Sequence, residues 1–293
     1  MADGRPGITE LARGRRLAWE EYGHPDGVPV LYFHGVPSTG LDVGMFDGPR
    51  LADELGIRLL SVDRPGCGRS DPQPKRRLVD WPDDVQALAD GLGLEQFAVL
   101  GWSGGAPYAL ACAERLGDRV RAVALVSGVV PFGNPGIAAA THPTPRRFFR
   151  LCLTSPPLAR LTLRLMRLGV ERDPAAFLRQ TAAALPPVDK EVLARPSVAD
   201  AYLGALSACL RPGPAGGQAD TALAVGSWGL PLSTLVASIT LWHGDQDGEA
   251  PVIGARWLAD QIPGARLRVL PDEGHLSLIA RHGGLILKEL SSV

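Results

Sequence analysis

Residues 97–113 have the sequence FAVLGWSGGAPYALACA, in which a short apolar run, a Gly-rich turn and a helix-forming run follow one another. This strand–turn–helix order is the setting in which G-x-S-x-G forms a nucleophile elbow. In so tight a turn, a Cβ at Gly101 or Gly105 would collide with the neighbouring strand or helix. The turn lifts the Ser103 hydroxyl clear of the sheet and aims the N–H of Gly104 at the same point. The pattern therefore predicts Ser103 as a nucleophile, with an ordinary Gly-rich turn as the alternative.

On both sides of this turn the chain alternates strand-like and helix-like segments, which is typical of a parallel sheet covered by helices. Several of the strands are continuous apolar runs, as expected when both faces of a sheet are buried. Predicted strands are Arg16–Tyr22, Pro29–Phe33, Arg58–Val62, Phe97–Gly101, Ala122–Ser127, Ser238–Trp242 and Arg266–Leu270. Predicted helices are Asp47–Leu55, Asp80–Gly91, Gly105–Leu116, Val252–Ile262 and Leu276–Leu290. We therefore predict an α/β fold with a mostly parallel central sheet.

Residues 131–230 break this alternation, because they are rich in Arg and Leu and are divided by Pro into several short helical stretches. The sequence thus predicts an α/β core formed by residues 1–130 and 231–293, with 131–230 inserted as a helical cap. From Pro131 to Pro231 there are eleven Lys and Arg against six Asp and Glu. A basic cap would favour anionic substrates. A solvated helix face is the simpler interpretation of these arginines.

The composition excludes several classes of protein. The 293 residues are 45% hydrophobic with a formal net charge of −1, which is untypical of nucleic-acid-binding or membrane-surface proteins. The N-terminus lacks the apolar core of a signal peptide, and Pro or Gly interrupts both long uncharged stretches. The four cysteines have neither metal-like nor redox-like spacing, and no H-E-x-x-H or Walker sequence occurs. We therefore expect a cytoplasmic protein with no metal, no cofactor, no nucleic-acid partner and no membrane partner.

Five sequence blocks occur in a fixed order and together carry a family resemblance. They are His34-Gly-Val-Pro-Ser, Asp63-Arg-Pro-Gly-Cys-Gly-Arg-Ser-Asp71, Gly101-Trp-Ser-Gly-Gly, His243-Gly-Asp-Gln-Asp-Gly-Glu-Ala-Pro251 and Gly274-His-Leu-Ser. From Arg16 to Leu290 the chain resembles the α/β-hydrolase fold superfamily of serine esterases, lipases and lactonases, with a helical cap. The resemblance is weakest in the cap.

The resemblance implies roles for further residues. The superfamily chain order of nucleophile, acid and histidine points to His275 as the general base. Asp247 matches the family's acid in His-Gly-x-x-Asp, and Asp245, two residues earlier, is the alternative. The N–H of Val36 would be a second oxyanion donor beside that of Gly104. Trp102, at the variable position of the elbow, would line the substrate pocket.

These expectations describe a serine hydrolase that cleaves an ester, lactone, thioester or amide through an acyl-enzyme on Ser103. Its partner would be a small, partly apolar substrate, and a homo-oligomer is compatible with the sequence. Because one fold hosts many reactions, two alternatives remain. One is a non-hydrolytic enzyme on the same residues, such as a C–C lyase, an acyltransferase or a cyclase. The other is a ligand-sensing binding protein.

Overall fold

A computed structural model describes residues 4–292 and has one eight-stranded sheet at its centre. Along the sheet the strands have the order β1-β2-β4-β3-β5-β6-β7-β8. The pairs β1–β2 and β2–β4 are antiparallel, and the remaining pairs are parallel. The strands are β1 Arg5–Glu10, β2 Arg16–Gly23, β3 Val28–Phe33, β4 Ile57–Val62, β5 Phe97–Trp102, β6 Val120–Val126, β7 Ser238–Gly244 and β8 Arg266–Leu270.

Helices cover both faces of this sheet. They are α1 Gly48–Glu54, α2 Trp81–Gly91, α3 Ala106–Leu116, α4 Pro135–Ala140, α5 Pro143–Thr154, α6 Pro156–Arg172, α7 Pro174–Ala183, α8 Pro187–Leu193, α9 Pro196–Leu210, α10 Pro214–Val225, α11 Val252–Gln261 and α12 His275–Ser291. Among the described residues, no helix is both long enough and apolar enough to cross a membrane.

Strand β3 shows why the apolar runs are continuous. Its alternating side chains enter two separate cores, since successive residues of a strand point to opposite faces. Leu31 and Phe33 pack with α2, α3 and α11, whereas Val30 and Tyr32 pack with α1 and α12. All four side chains are buried. The predicted mostly parallel, doubly covered sheet is therefore confirmed.

The register brings the ends of several strands to one edge of the sheet. Phe33 of β3 pairs with Gly101 of β5, and Gly244 of β7 pairs with Leu270 of β8. Because these strands are parallel, the loops that follow them leave from the same edge. This edge collects the segments that carry the predicted site residues.

The helices α4–α10 all lie between β6 and β7 in the chain. These two strands are hydrogen-bonded neighbours, with Val126 opposite Trp242. The helical insert therefore leaves the sheet and returns to it at adjacent positions. Helix α8 packs on α12, and α10 packs on α3, so the insert contacts both faces of the molecule around the loop-bearing edge.

Candidate active site

The turn after β5 holds Ser103 in an unusual backbone conformation. Its φ is +51°, a left-handed value that side-chain-bearing residues seldom adopt and that clusters at functional sites. A Cβ at Gly101 would lie 2.8 Å from the carbonyl oxygen of Gly105, and a Cβ at Gly105 would lie 2.8 Å from the carbonyl carbon of Phe33. The two glycines thus allow the turn to close against β3. The turn leads directly into α3, so the positive end of that helix dipole faces the serine.

His275 begins helix α12 and lies beside this serine. Its Nε2 is 2.9 Å from Ser103 Oγ, and its Nδ1 is 2.8 Å from Asp247 Oδ2. All three residues are at most 5% exposed. The structure therefore brings Ser103, His275 and Asp247 into one hydrogen-bonded row, although they are separated by 172 and 28 residues along the chain.

The two candidate acids occupy different positions. Asp247 Oδ1 accepts the N–H groups of Glu249 and Ala250, at 2.9 and 2.8 Å, so that Oδ2 is left for the histidine. Asp245 is exposed, and its Oδ1 accepts the N–H of Asp272 at 2.9 Å. The structure therefore places Asp247 at the imidazole, while Asp245 joins two turns.

The electrostatic surroundings of His275 favour the imidazolium. Burial lowers the pKa of this histidine, but the negative charges of Asp247 and Glu249 outweigh burial and raise the pKa to about 9. Glu249 Oε2 lies 4.0 Å from His275 Nε2, and its side chain is 37% exposed. Among the described residues, this carboxylate accepts no hydrogen bond. Sequence reasoning missed Glu249, although it lies only two residues after Asp247.

The predicted oxyanion loop follows β3 and packs against the elbow. A Cβ at Gly104 would lie 2.9 Å from Cβ of Val36, so the segments that carry both predicted donors are in contact. The loop is held from behind by Arg64, whose guanidinium donates to the carbonyl oxygens of His34 and Gly35 at 2.6 and 2.8 Å. With these carbonyls turned toward Arg64, the loop has a defined orientation at the elbow.

Arg64 in turn forms a buried ion cluster with helix α10. Its Nη2 lies 2.7 Å from Asp220 Oδ2, and both side chains are fully buried. Arg76 also pairs with Asp220, and the Tyr108 hydroxyl donates to it at 2.8 Å. Burial raises the pKa of Asp220, but the two arginines lower it further than burial raises it. Asp220 is the single charged residue of α10, and this is the only sequence signal for the cluster.

The Trp102 indole is buried and packs against the imidazole, with 5.5 Å between the ring centroids of Trp102 and His275. A Cβ at Gly35 would lie 2.7 Å from the Trp102 ring. A cavity lies nearby, and Glu249 is its charged lining residue. Its apolar lining includes Val129, Val130, Phe132, Ile137, Phe149 and Val225. Trp102 therefore packs beside His275 and is not among the lining residues of this cavity.

Within residues 4–292, no group of three or more His, Cys, Asp and Glu side chains is arranged to hold a metal ion.

Sequence comparison adds the family. The sequence model of the alpha/beta hydrolase fold matches residues 28–281. The chain belongs to the alpha/beta hydrolase fold family. The predicted family is therefore confirmed.

Individual proteins are similar to part or nearly all of this chain. The proline iminopeptidase of Neisseria gonorrhoeae is 32% identical over 124 residues, which are 41% of this chain and 38% of that protein. The chain thus matches well under half of this curated relative. An alpha/beta hydrolase fold protein from Nakamurella multipartita is 26% identical, with a TM-score of 0.68 over 98% of both chains. A thermophilic esterase from Thermogutta terrifontis, 22% identical, has a TM-score of 0.66 over 98% of this chain and 97% of that one.

Proposed function

We propose that the protein is a serine hydrolase of small carboxylic esters or related acyl compounds. The observation that carries the proposal is the buried hydrogen-bonded row of Asp247, His275 and Ser103 at 2.8 and 2.9 Å. A serine hydroxyl is a weak nucleophile until a base takes its proton, and this row supplies the base and the acid that orients it.

In the proposed reaction, Ser103 Oγ attacks the carbonyl carbon while His275 Nε2 accepts the hydroxyl proton. The N–H at Nδ1 donates to Asp247, whose charge stabilises the imidazolium. The imidazolium then gives its proton to the leaving oxygen, nitrogen or sulfur, and an acyl-enzyme remains. Water, deprotonated by His275, then attacks the acyl carbonyl carbon; the bond to Ser103 Oγ breaks, the imidazolium returns its proton to that oxygen, and the carboxylic acid leaves.

The negative oxygen that forms in each addition step needs hydrogen-bond donors. The N–H groups of Gly104 and Val36 are the proposed donors, on two segments that are in contact. In other hydrolases, loss of one such donor costs about 3–4 kcal/mol of transition-state stabilisation. We further propose that Arg64, by holding the loop carbonyls, keeps the second donor in place.

A second candidate is the hydrolysis of an amide next to a free amino group. It is favoured by the Glu249 carboxylate, which has no hydrogen-bond partner among the described residues and lies 4.0 Å from His275 Nε2. An ammonium group on the acyl side would form an ion pair there. The similarity to a proline iminopeptidase over 41% of the chain is compatible with this candidate.

A panel of substrates with one pair of variants tests the proposal. Neutral p-nitrophenyl esters of increasing chain length and amino-acid p-nitroanilides are compared in the wild type, Ser103→Ala and Ser197→Ala. Ser197 is exposed at the start of α9, so Ser197→Ala is the matched control. We expect turnover to be lost only in Ser103→Ala. Equal rates in all three proteins would exclude Ser103 as the nucleophile.

Two further results separate the remaining functions. Labelling of Ser103 by a fluorophosphonate without turnover of any substrate would favour a non-hydrolytic enzyme on the same residues. Ligand binding with neither labelling nor turnover would favour a sensor. For the acid, we expect Asp247→Asn to lose activity and Asp245→Asn to retain it, and the reverse pattern would reassign the role to Asp245.

A further inference from the structure

Asp189 is a carboxylate of the helical insert that lies completely buried. It belongs to α8 and is 0% exposed. A buried carboxylate needs several hydrogen-bond donors to compensate for lost hydration. Here the donors come from another part of the chain, the beginning of α12.

The contacts of Asp189 are to three consecutive backbone N–H groups. Oδ2 accepts from His275 at 2.8 Å, and Oδ1 accepts from Leu276 at 3.1 Å and from Ser277 at 2.8 Å. The first N–H groups of a helix have no partner within the helix and are usually satisfied by the side chain that precedes it. The carboxylate of Asp189 fills that role from a distance of 86 residues along the chain.

The residue that precedes α12 leaves room for this arrangement. Gly274 has no side chain, and a Cβ there would lie 2.5 Å from Cγ of Asp189. The N–H of Gly274 donates to Ser277 Oγ at 2.7 Å, which completes one half of a capping pair. The helix start therefore lacks a cap of its own and is adapted to receive one from α8.

We propose that Asp189 is a positioning residue for His275, which it holds in line between Asp247 and Ser103 through the start of α12. The proposal rests on the proposed function, in which His275 is the base. The helical insert then takes part in catalysis, because Asp189 of α8 positions His275, the residue that transfers the proton. The fixed backbone leaves the imidazole little freedom, and a shift of about 1 Å in such a group costs up to about a hundredfold in rate.

Four charged or titratable groups face His275. They are Asp247 and Glu249 in the loop after β7, His243 in β7, and Asp189 in α8. The negative charge of Asp189 acts in the same direction as those of Asp247 and Glu249, toward the imidazolium. Loss of this charge therefore lowers the pKa of His275, an effect that a purely mechanical support would not produce.

The experiment compares Asp189→Asn and Asp189→Ala with Asp200→Asn, an exposed aspartate on α9. For a neutral p-nitrophenyl ester we expect kcat on the high-pH plateau, where His275 is neutral in every variant, to fall about ten- to a hundredfold in both Asp189 variants. KM should change little, because the base and not the pocket is displaced. The His275 pKa, measured by NMR titration of histidine-labelled protein, should fall in Asp189→Asn. The control should match the wild type in all three quantities.

A second substitution separates positioning from loss of folding. In the Asp189→Ala background the space beside Gly274 is free, and the backbone there is extended, with φ of −105°. Gly274→Ser in that background supplies a local cap. We expect it to restore most of kcat without restoring the His275 pKa, whereas Gly274→Ser alone is impaired by its collision with Asp189.

Two results would overturn the proposal. One is a folded Asp189→Asn protein with wild-type kcat and wild-type His275 pKa. The other is a folded Asp189→Ala, Gly274→Ser protein that is no more active than Asp189→Ala. Absence of turnover in the wild type would count against the proposed function alone, since fluorophosphonate labelling of Ser103 in Asp189→Ala, with and without Gly274→Ser, still reports whether His275 is held in line.

Discussion

Substitution of Glu249 by glutamine removes a negative charge 4.0 Å from His275 Nε2 and keeps nearly the same side-chain shape. Two unit charges at this distance interact by about 1 kcal/mol in water and about 4 kcal/mol near a protein surface. Because the Glu249 side chain is 37% exposed, the lower part of this range applies. One pKa unit corresponds to about 1.4 kcal/mol, so the pKa of His275 should fall by about one unit.

The consequence for activity is a gain at neutral pH. The base works only as neutral imidazole, and with a pKa of about 9 roughly 1% of it is neutral at pH 7. A fall of about one unit raises that fraction about tenfold. For a neutral ester, kcat/KM at pH 7 should therefore rise by up to about tenfold in Glu249→Gln, while the plateau at high pH stays unchanged.

The assay is the dependence of kcat/KM on pH from about 5 to 10, whose acidic limb reports the free enzyme's base. Glu95→Gln, which changes an exposed glutamate remote from the site, is the matched control and should reproduce the wild-type limb. Coincident limbs for wild type and Glu249→Gln would refute the electrostatic reasoning. A wild-type limb near 6.5 would do so as well, since it would mean that the neighbouring carboxylates do no more than offset the effect of burial on His275.

Two other substitutions test the framework that holds the site. Asp220→Asn leaves the buried Arg64 without its counter-ion, and urea unfolding should show a loss of about 3–5 kcal/mol relative to Asp200→Asn; equal stabilities would mean that the ion cluster does not stabilise the fold. Because the pKa of Asp220 is lowered by folding, this stabilisation is present above about pH 4 and is lost as the pH falls further, so the two stability curves should converge in acid. Gly105→Ala places a Cβ 2.8 Å from a carbonyl carbon of β3. We expect it to lower the free energy of unfolding by about 1–3 kcal/mol and to abolish labelling of Ser103 by a fluorophosphonate. Gly91→Ala places a Cβ in open space and is the matched control, which should keep both the stability and the labelling of the wild type.

The sequence was most informative where function imposes local rules. The elbow could be predicted because its glycines, its strand and its helix are contiguous, and in the structure a Cβ at Gly101 or at Gly105 would collide with backbone atoms. The positions of His275 and Asp247 followed from chain order in a family, and the sequence alone contained no information that they touch. Their contact depends on β7 and β8 being neighbours, which periodicity does not specify.

Two kinds of feature escaped prediction. Strand β1 was missed because RPGITE contains a Pro and a Gly and lies at the exposed sheet edge, where little apolar alternation is required. Asp189 and Asp220 were counted among the charges of a basic cap, yet both are fully buried. Asp189 binds the backbone of His275, 86 residues away, and Asp220 binds Arg64, 156 residues away. No short sequence pattern predicts contacts between residues so far apart in the chain.

The return of the helical insert to the strand beside the one it left makes this junction a natural place to graft a different insert, since β6 and β7 would pair as before. The buried carboxylates of Asp189 and Asp220 limit which inserts can be grafted there. A foreign insert without an acid opposite the start of α12 and another opposite Arg64 would leave three backbone donors unsatisfied and a guanidinium without its counter-ion in the interior. Exchange of inserts between relatives should therefore succeed only among those that carry both acids, however well their strands superpose.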